Sequence, residues 1–411
     1  MTDRFRVRDA SDLQEAIAWA AAESVPWEIV GRGTKRRLGR PVEAARMLDL
    51  GALSGITLYE PDELVLRAGS GTPIEDIEAA LAREGQHLAF EPPDFSALFG
   101  AGGAGTLGGL VAGNLSGSRR PMAGSLRDHL LGVEAVSGRG EVFKAGGRVM
   151  KNVTGYDIPR LMAGSFGTLA VATEITLKVL PRPEATTTLM LGGIATAVAL
   201  PLLRDLAASA EEPTGLAHLP QSIASEIVGL QSLGSKGDVT VVRIEGTTIG
   251  VADRLARVMA RCRQHDQRTE VAELPTDAAK HVWRELGGGA PFAAESFRGW
   301  DVWRLSVVPS ESPAVAARLM AQGGCALYFD WAGGLIWFGH SPRRGLHEAV
   351  RGALVAHGGG HATLFRASND TRRQVPVFQP QPDALAALSR RIKQAFDPRG
   401  VLNPGRMYAG V

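Results

Sequence analysis

Apolar and polar positions follow two different periods along this chain. Leu13, Ala16, Ile17 and Ala20 recur at helical spacing behind Ser11 and Gln14, which read as a capping box, so a helix of about three turns is predicted there. Trp27 to Val30 reads as a short apolar strand running into Gly31, and Leu64-Val65-Leu66 as another. Thr72-Pro73-Ile74-Glu75 combines an N-cap, a proline at the first helical position and a capping-box glutamate. Ile74, Ile77, Ala80 and Leu81 supply the apolar face of the helix it opens. From Leu169 to Val179 the period changes to two. Leu169, Val171, Ile175, Leu177 and Val179 share one face and Glu174, Thr176 and Lys178 the other, which predicts a half-buried strand in a mixed or antiparallel sheet.

Pro181 and Pro183 end that strand and read as a domain boundary. Beyond them, 195–210, 250–263, 312–322 and 342–357 read as helices, and 238–245, 303–308, 326–329 and 362–366 as strands. Alternation on this scale predicts an α+β layer, a sheet with helices on one face. A last helix, 383–395, leads into a tail ending Leu402-Asn403-Pro404-Gly405-Arg406. No repeat of 20–50 residues is evident.

Composition narrows the function classes. The length of 411 residues is a prior for two domains, and Lys+Arg 45 against Asp+Glu 43 argues against a dedicated nucleic-acid binder. The uncharged stretches 95–118 and 185–203 are too rich in Gly, Ser, Thr and Pro for spanning helices, and the charged N-terminus lacks a signal segment. A cytoplasmic protein with no transmembrane segment is expected. Two cysteines, Cys262 and Cys325, exclude a disulfide framework, a cysteine-rich zinc site and a four-cysteine iron–sulfur cluster on this chain.

Glycine is in excess, 50 of 411 residues, and eight of them fall between Gly100 and Gly117. Gly103-Ala-Gly105-Thr-Leu-Gly108 matches the dinucleotide fingerprint, but it follows Glu91-Pro92-Pro93-Asp94 rather than a buried strand. No Walker A motif follows a glycine loop either. Three segments instead share a Gly-Thr loop character: Gly31-Arg32-Gly33-Thr34-Lys35, Gly105-Thr106-Leu107-Gly108-Gly109 and Gly164-Ser165-Phe166-Gly167-Thr168-Leu169. Such loops bring successive backbone N–H groups to a pyrophosphate without intervening side chains.

These segments resemble the flavin-binding domain of the vanillyl-alcohol oxidase / p-cresol methylhydroxylase superfamily, in its FAD-linked 2-hydroxyacid oxidase branch. The match runs through Val30-Gly-Arg-Gly-Thr-Lys35, Pro92-Pro93-Asp94, Gly105-Thr-Leu-Gly-Gly-Leu-Val-Ala-Gly-Asn114 and Ser116-Gly-Ser-Arg-Arg120. It continues in Arg127-Asp128-His129, Lys151-Asn-Val-Thr-Gly-Tyr-Asp157, Gly164–Leu169 and the terminal Leu402–Arg406. The resemblance implies a p-cresol methylhydroxylase-type FAD-binding domain of two α/β subdomains over 1–183, and a second α+β domain over 184–386 for substrate or partner. Residues 387–411 would return to the first. It implies cofactor contacts from Gly31, Arg32, Gly33, Thr34, Lys35, Pro93, Gly105, Thr106, Leu107, Gly108, Gly109, Gly113, Asn114, Ser116, Gly164, Ser165, Gly167, Thr168, Leu169 and Asn403. Lys151 and Asn152 would lie near the flavin ring. Relatives that attach FAD covalently carry a histidine after the first loop; here Thr34-Lys35-Arg36-Arg37 stands there, so noncovalent FAD is expected.

Within that branch the chain is similar to FAD-binding subunits of glycolate oxidase (glycolate dehydrogenase) complexes, through Lys151–Asp157, Trp303-Arg-Leu-Ser306 and Leu364-Phe-Arg366. That implies oxidation of glycolate, a small 2-hydroxyacid, to glyoxylate. The partners would be a second FAD-binding catalytic subunit and an iron–sulfur subunit, through which any membrane association would arise. The alternatives are a self-sufficient FAD-dependent 2-hydroxyacid or sugar-alcohol oxidoreductase and a non-catalytic flavin-binding scaffold. The branch's His-rich G-D-G-N-x-H segment is missing, which points toward the partner as the site of substrate oxidation. Arg304 and Arg366 are the cationic candidates for a substrate carboxylate and His361 for a base. His357 and His361 flank three glycines that break a shared helical face, so no metal is assigned.

Overall fold

The computed structural model describes residues 3–103, 105–148, 155–231, 237–265 and 270–411. Lys151 and Asn152 lie outside the described residues. Four sheets organise the rest: a three-stranded parallel sheet, a five-stranded antiparallel one, a two-stranded pair and an eight-stranded antiparallel sheet.

The parallel sheet places Arg46–Asp49 between Asp3–Arg6 and Trp27–Val30. The helix Ala10–Glu23 covers it with Leu13, Ile17 and Ala20. Its start differs from the predicted capping box: the Asp9 carboxylate accepts the Asp12 N–H, leaving Ser11 inside the first turn. At the helix Ile74–Arg83 the cap position falls on Pro73, because the Thr72 hydroxyl already donates to the Gly69 carbonyl and accepts the Gly55 N–H. A neighbouring side chain in the first case and a distant loop in the second thus override the local signatures.

The strand Ala170–Lys178 is central to the five-stranded sheet and pairs antiparallel with Val65–Gly69 and Leu130–Ser137. Its predicted single apolar face is split. A register shift at Glu134/Ala135 leaves Thr173 without a partner, and such a bulge turns the strand over. Val171 therefore packs with Trp27, Val136 and Leu402, whereas Ile175, Leu177 and Val179 join the main core. Past that strand, Leu180–Pro181 pairs antiparallel with Gln86–His87 in a separate two-stranded sheet.

The eight-stranded sheet carries helices Thr196–Ala207, Thr248–His265, Ser312–Met320 and Leu346–Ala356 on one face. Its other face packs on helix Thr276–Gly287 and on the glycine-rich half of the chain, where Phe95, Phe99, Phe365 and Trp337 form an aromatic cluster. The architecture is α+β, with the large sheet lying between four helices and the smaller sheets.

Within that sheet, His218 is fully buried between the hydroxyls of Thr196 and Thr240, each 2.9 Å away. Burial pushes its pKa from 6.5 down to about 4, only partly offset by Asp238. The unfolded chain therefore takes up a proton that the folded chain refuses. Stability is whole above the unfolded pKa and falls as pH drops from about 6.5 toward 4, by about 3 kcal/mol for a fully buried histidine. Urea unfolding at pH 8 and pH 5 should show about 2 kcal/mol of that loss, and His218→Asn should be weaker at pH 8 but lose less on acidification. An equal pH slope in parent and variant would contradict this account.

Candidate functional site

Three chain segments converge where the parallel sheet meets the five-stranded sheet. The strand Trp27–Val30 delivers Gly31–Lys35 to the surface of a groove. The short helix Leu107–Gly113 forms its floor, and the loop 164–167 closes one side. The C-terminal tail supplies the last wall, because Leu402 pairs in parallel with Trp27 and brings Asn403 over the groove. The Asn403 side-chain oxygen accepts the Ile29 N–H at 2.8 Å, and its amide donates to the Phe166 carbonyl at 2.8 Å. One side chain thus ties the first glycine loop to the third.

The groove has two arms that share Gly31, Thr106, Gly109, Phe166 and Asn403. One, of about 570 Å³, is polar and lined by Arg32, Gly33, Thr34, Lys35, Gly113 and Arg406. The other, of about 630 Å³, is more apolar and lined by Leu50, Val133, Met162, Ala170 and Val171, with Gly108, Ser165 and Gly167. Glycine is required at the junction: a Cβ on Gly31 would stand 2.5 Å from Thr106 Oγ1. A Cβ on Gly105, whose φ is +98°, would meet Lys35 Nζ at 2.5 Å and Thr34 Oγ1 at 2.6 Å.

The carbonyls of the first loop are drawn away from the groove. Arg406 donates to the Lys35 and Arg36 carbonyls at 3.1 and 3.0 Å, and Arg372 to those of Arg37 and Gly39 at 2.8 and 2.7 Å. Among the described residues no carbonyl accepts the N–H groups of Gly31, Arg32, Gly33 or Thr34. A row of amide donors beside a part-buried Lys35 is suited to a phosphate-bearing ligand. Burial pushes the Lys35 pKa down to about 8, with Asp94 opposing the shift; an anion in the groove would restore it. Arg32 is held by Glu75.

The second glycine segment contributes differently from the expectation. The Leu107 and Gly108 N–H groups donate to Thr72 and Ser70 carbonyls, and the Gly109 N–H goes to the Thr106 hydroxyl. These three groups are thus committed, so the stretch from Leu107 to Gly109 offers close backbone approach rather than donors, and Leu107 is wholly in the core. Asn114 and Ser116 are likewise engaged: their side-chain oxygens accept the N–H groups of Arg127 and Leu126. Pro93 is buried off both arms. Gly164, Thr168 and Leu169 line a separate cavity with Met407, Tyr408 and Val411.

The three residues proposed for substrate chemistry do not meet. His361 is exposed at the start of the strand His361–Arg366, and Arg366 ends it. Five steps at about 3.3 Å put them roughly 17 Å apart, too far to act on one small substrate. Arg366 is a packing clamp: its guanidinium donates to the carbonyls of Phe292 at 2.8 Å, Phe297 at 3.1 Å and Trp300 at 3.1 Å. Arg304, unlike Arg366, has no hydrogen-bond acceptor for its guanidinium among the described residues.

Sequence reasoning passed over Arg372, Lys393, Asp397 and the hold of Arg406 on the first loop. Lys393 is buried and donates to Asp397 at 2.6 Å and to the carbonyls of Thr168 and Leu402 at 2.7 and 3.0 Å. The Asp397 carboxylate in turn accepts the N–H groups of Val401 and Leu402. The only local signal was the four-residue spacing of a lysine and an aspartate at a helix end.

Residues 4–146 match the family described as "FAD binding domain", and residues 379–407 that described as "FAD linked oxidases, C-terminal domain". The chain is 36% identical over 406 residues to "Glycolate oxidase subunit GlcE" of Escherichia coli (strain K12), covering 97% of each. It is 25% identical over 425 residues to "Glycolate oxidase subunit GlcD" of Bacillus subtilis (strain 168), covering 98% of this chain and 88% of that one. Among solved structures, p-cresol methylhydroxylase with substrate bound superposes with a TM-score of 0.73 at 15% identity, covering 99% of this chain and 88% of the other. Alkyldihydroxyacetonephosphate synthase gives 0.69 at 16%, covering 98% and 76%. FAD is the cofactor and the fold is the p-cresol methylhydroxylase type. The groove fits FAD: a glycine-lined polar arm for its diphosphate adjoins a more apolar arm for a ring system. Among the described residues no helix is long and apolar enough to cross a membrane.

Proposed function

Since the chain belongs to the FAD-linked oxidase family of glycolate oxidase subunits, we propose that it is the FAD-carrying subunit of a complex oxidising glycolate to glyoxylate. The likeness to a glycolate oxidase subunit along nearly the whole chain carries this reading. Bound FAD supplies a two-electron acceptor: glycolate loses the carbinol C–H as a hydride equivalent and the hydroxyl proton to become glyoxylate. The protein's own task is to hold and orient. The amides of Gly31–Thr34, with Lys35, would hold the diphosphate; Asn403, Arg406 and Arg372 keep that loop in shape. Attachment is noncovalent, since Thr34-Lys35-Arg36-Arg37 offers no histidine after the loop. Residues 1–183 with 387–411 form the cofactor-binding part on this reading, and 184–386 face substrate or partner.

Electrons leave to an iron–sulfur subunit, and a second flavoprotein subunit completes the complex. Two cysteines support this, because neither alone nor together do they make a four-thiolate cluster site. Cys262 is buried, its thiol pushed up to about 11 by burial. The test is anaerobic addition of glycolate to the complex assembled from this chain and its partners. Bleaching of the flavin band, followed by reduction of the iron–sulfur chromophore, is the expected result. A purified chain that stays colourless and cannot be reconstituted with FAD would overturn the reading.

A further inference from the structure

Buried arginines in this fold are matched to acceptors. Arg243 pairs with Glu91 at 2.7 Å and Arg119 with Glu245; Arg351, Arg366, Arg372 and Arg406 are held by carbonyls. Arg304 and Arg120 depart from this pattern. Both are part-buried, and among the described residues neither guanidinium has a hydrogen-bond acceptor or an ion pair. The Arg304 Nε is out of solvent and unsatisfied, as are those of Arg119, Arg351 and Arg372, but in those three the terminal nitrogens are bonded. An unpaired buried charge is costly, so a fold that retains two of them side by side calls for an explanation.

They are gathered on one aromatic ring. The guanidinium carbon of Arg120 lies 4.6 Å and that of Arg304 4.7 Å from the Trp331 ring centroid. Arg304 also faces Trp337 at 5.9 Å. Their charges oppose each other: burial first, then the charge of Arg120, push the Arg304 pKa down to about 10. The nearby Asp330 offsets part of that shift but pairs with neither guanidinium, its oxygens accepting from the Ser118 hydroxyl at 2.7 Å and the Trp331 N–H at 2.7 Å. A short stretch of chain links the place to the groove. Gly113 lines the polar arm, and four residues later the Gly117 carbonyl accepts the Trp331 indole N–H at 3.1 Å.

We propose that Arg120 and Arg304, held against Trp331, bind the carboxylate of a small 2-hydroxy- or 2-oxocarboxylate. The inference rests on the glycolate reading for the choice of acid, and it puts substrate recognition on this chain as well as on a partner. Two guanidiniums supply the planar donor forks that match a carboxylate. Trp337, which Arg304 also faces, is stacked on Tyr328 at 6.2 Å.

The test uses 2-hydroxy-2-methylpropanoate, which lacks the carbinol C–H and cannot be oxidised, titrated calorimetrically into the FAD-loaded complex. Binding to the parent is expected, weakened at least about tenfold by Arg304→Met and by Arg120→Met, with Arg304→Lys between. Because each removes an unpaired charge, the Met variants should melt at or above the parent temperature. Equal affinity in parent and variants, no binding to the parent, or displacement by inorganic phosphate at matched ionic strength would each overturn the site. So would a lowered melting temperature with unaltered binding, which would make the pair structural. Glycolate reduction of the complex is measured beside it. Reduction with an unchanged KM in Arg304→Met leaves the glycolate reading standing and removes only the site, whereas no reduction in the parent removes the reading itself.

Discussion

Replacing Lys393 by methionine should destabilise the protein by about 3–5 kcal/mol, the range seen when one partner of a buried ion pair is removed. Lys393 and Asp397 have 7% and 0% of their side chains exposed and stand 2.6 Å apart. Without the ammonium, the Asp397 charge stays buried with two backbone N–H groups as its hydrogen-bond donors, from Val401 and Leu402. The carbonyls of Thr168 and Leu402 lose their donor at the same time. Those atoms belong to the third glycine segment and to the tail that delivers Asn403, so the flavin content should fall together with stability. Methionine keeps the length and apolar stem of lysine, which restricts the loss to the charge and its hydrogen bonds. The control is Arg4→Ala. Arg4 is 60% exposed and pairs with a largely buried Asp49 that keeps the Gly51 N–H as a donor, so its removal should cost less, on the order of 1 kcal/mol. Urea unfolding midpoints and flavin-to-protein ratios measure both. A Lys393→Met protein as stable as Arg4→Ala would show that the node is dispensable.

The elements that sequence made legible are those with a local cause. Helices 196–207, 248–265, 312–320 and 346–356 fall where the apolar spacing put them, because each buries a stripe against one sheet face. The strands Gly215–Leu219 and Leu335–His340 escaped notice for the converse reason. Every residue of both is buried, so they carry no alternation, and a short wholly apolar run does not declare its type. Helix Thr276–Gly287 was passed over although Pro275-Thr276-Asp277 opens it. At Ser11 and Thr72 the failure is of another kind. A local hydrogen-bond signature was present, but a neighbouring aspartate in one case and a distant loop in the other took the position.

The same division runs through the candidate site. Glycine clusters announce themselves because close backbone approach excludes a side chain at that residue alone, as at Gly31. What shapes the loops is not local. Arg406 and Arg372 grip carbonyls more than 300 positions earlier in the chain, and Lys393 reaches Thr168. In a sequence each of these is an ordinary basic residue near the C-terminus. The reverse error is Arg366, whose place in a resembling motif suggested chemistry while its donors were committed to three carbonyls of the 292–300 segment.

Gly31→Ala should weaken flavin binding while leaving most of the fold standing. The added Cβ would lie 2.5 Å from Thr106 Oγ1 and 3.0 Å from its methyl carbon, and Gly31 has no left-handed φ to lose. The strain is therefore steric and confined to the contact between the two loops. Thr106 cannot step aside freely, because its hydroxyl caps the helix Leu107–Gly113 through the Gly109 N–H. Forcing a methyl group into packed structure costs about 1–3 kcal/mol. If that cost falls on the bound state, affinity for FAD drops roughly 5- to 150-fold. The second variant, Gly31→Ala with Thr106→Ala, removes both clashing atoms and leaves the Thr106 Cβ at 3.3 Å. It should recover most of the flavin affinity at the expense of the helix cap, which is worth about 1 kcal/mol of stability. Fluorescence titration of FAD into apoprotein measures the first effect and urea unfolding the second. Full flavin loading in Gly31→Ala would show that these two loops do not form the cofactor cradle, and a double variant still unable to bind would place the defect elsewhere than in the contact with Thr106.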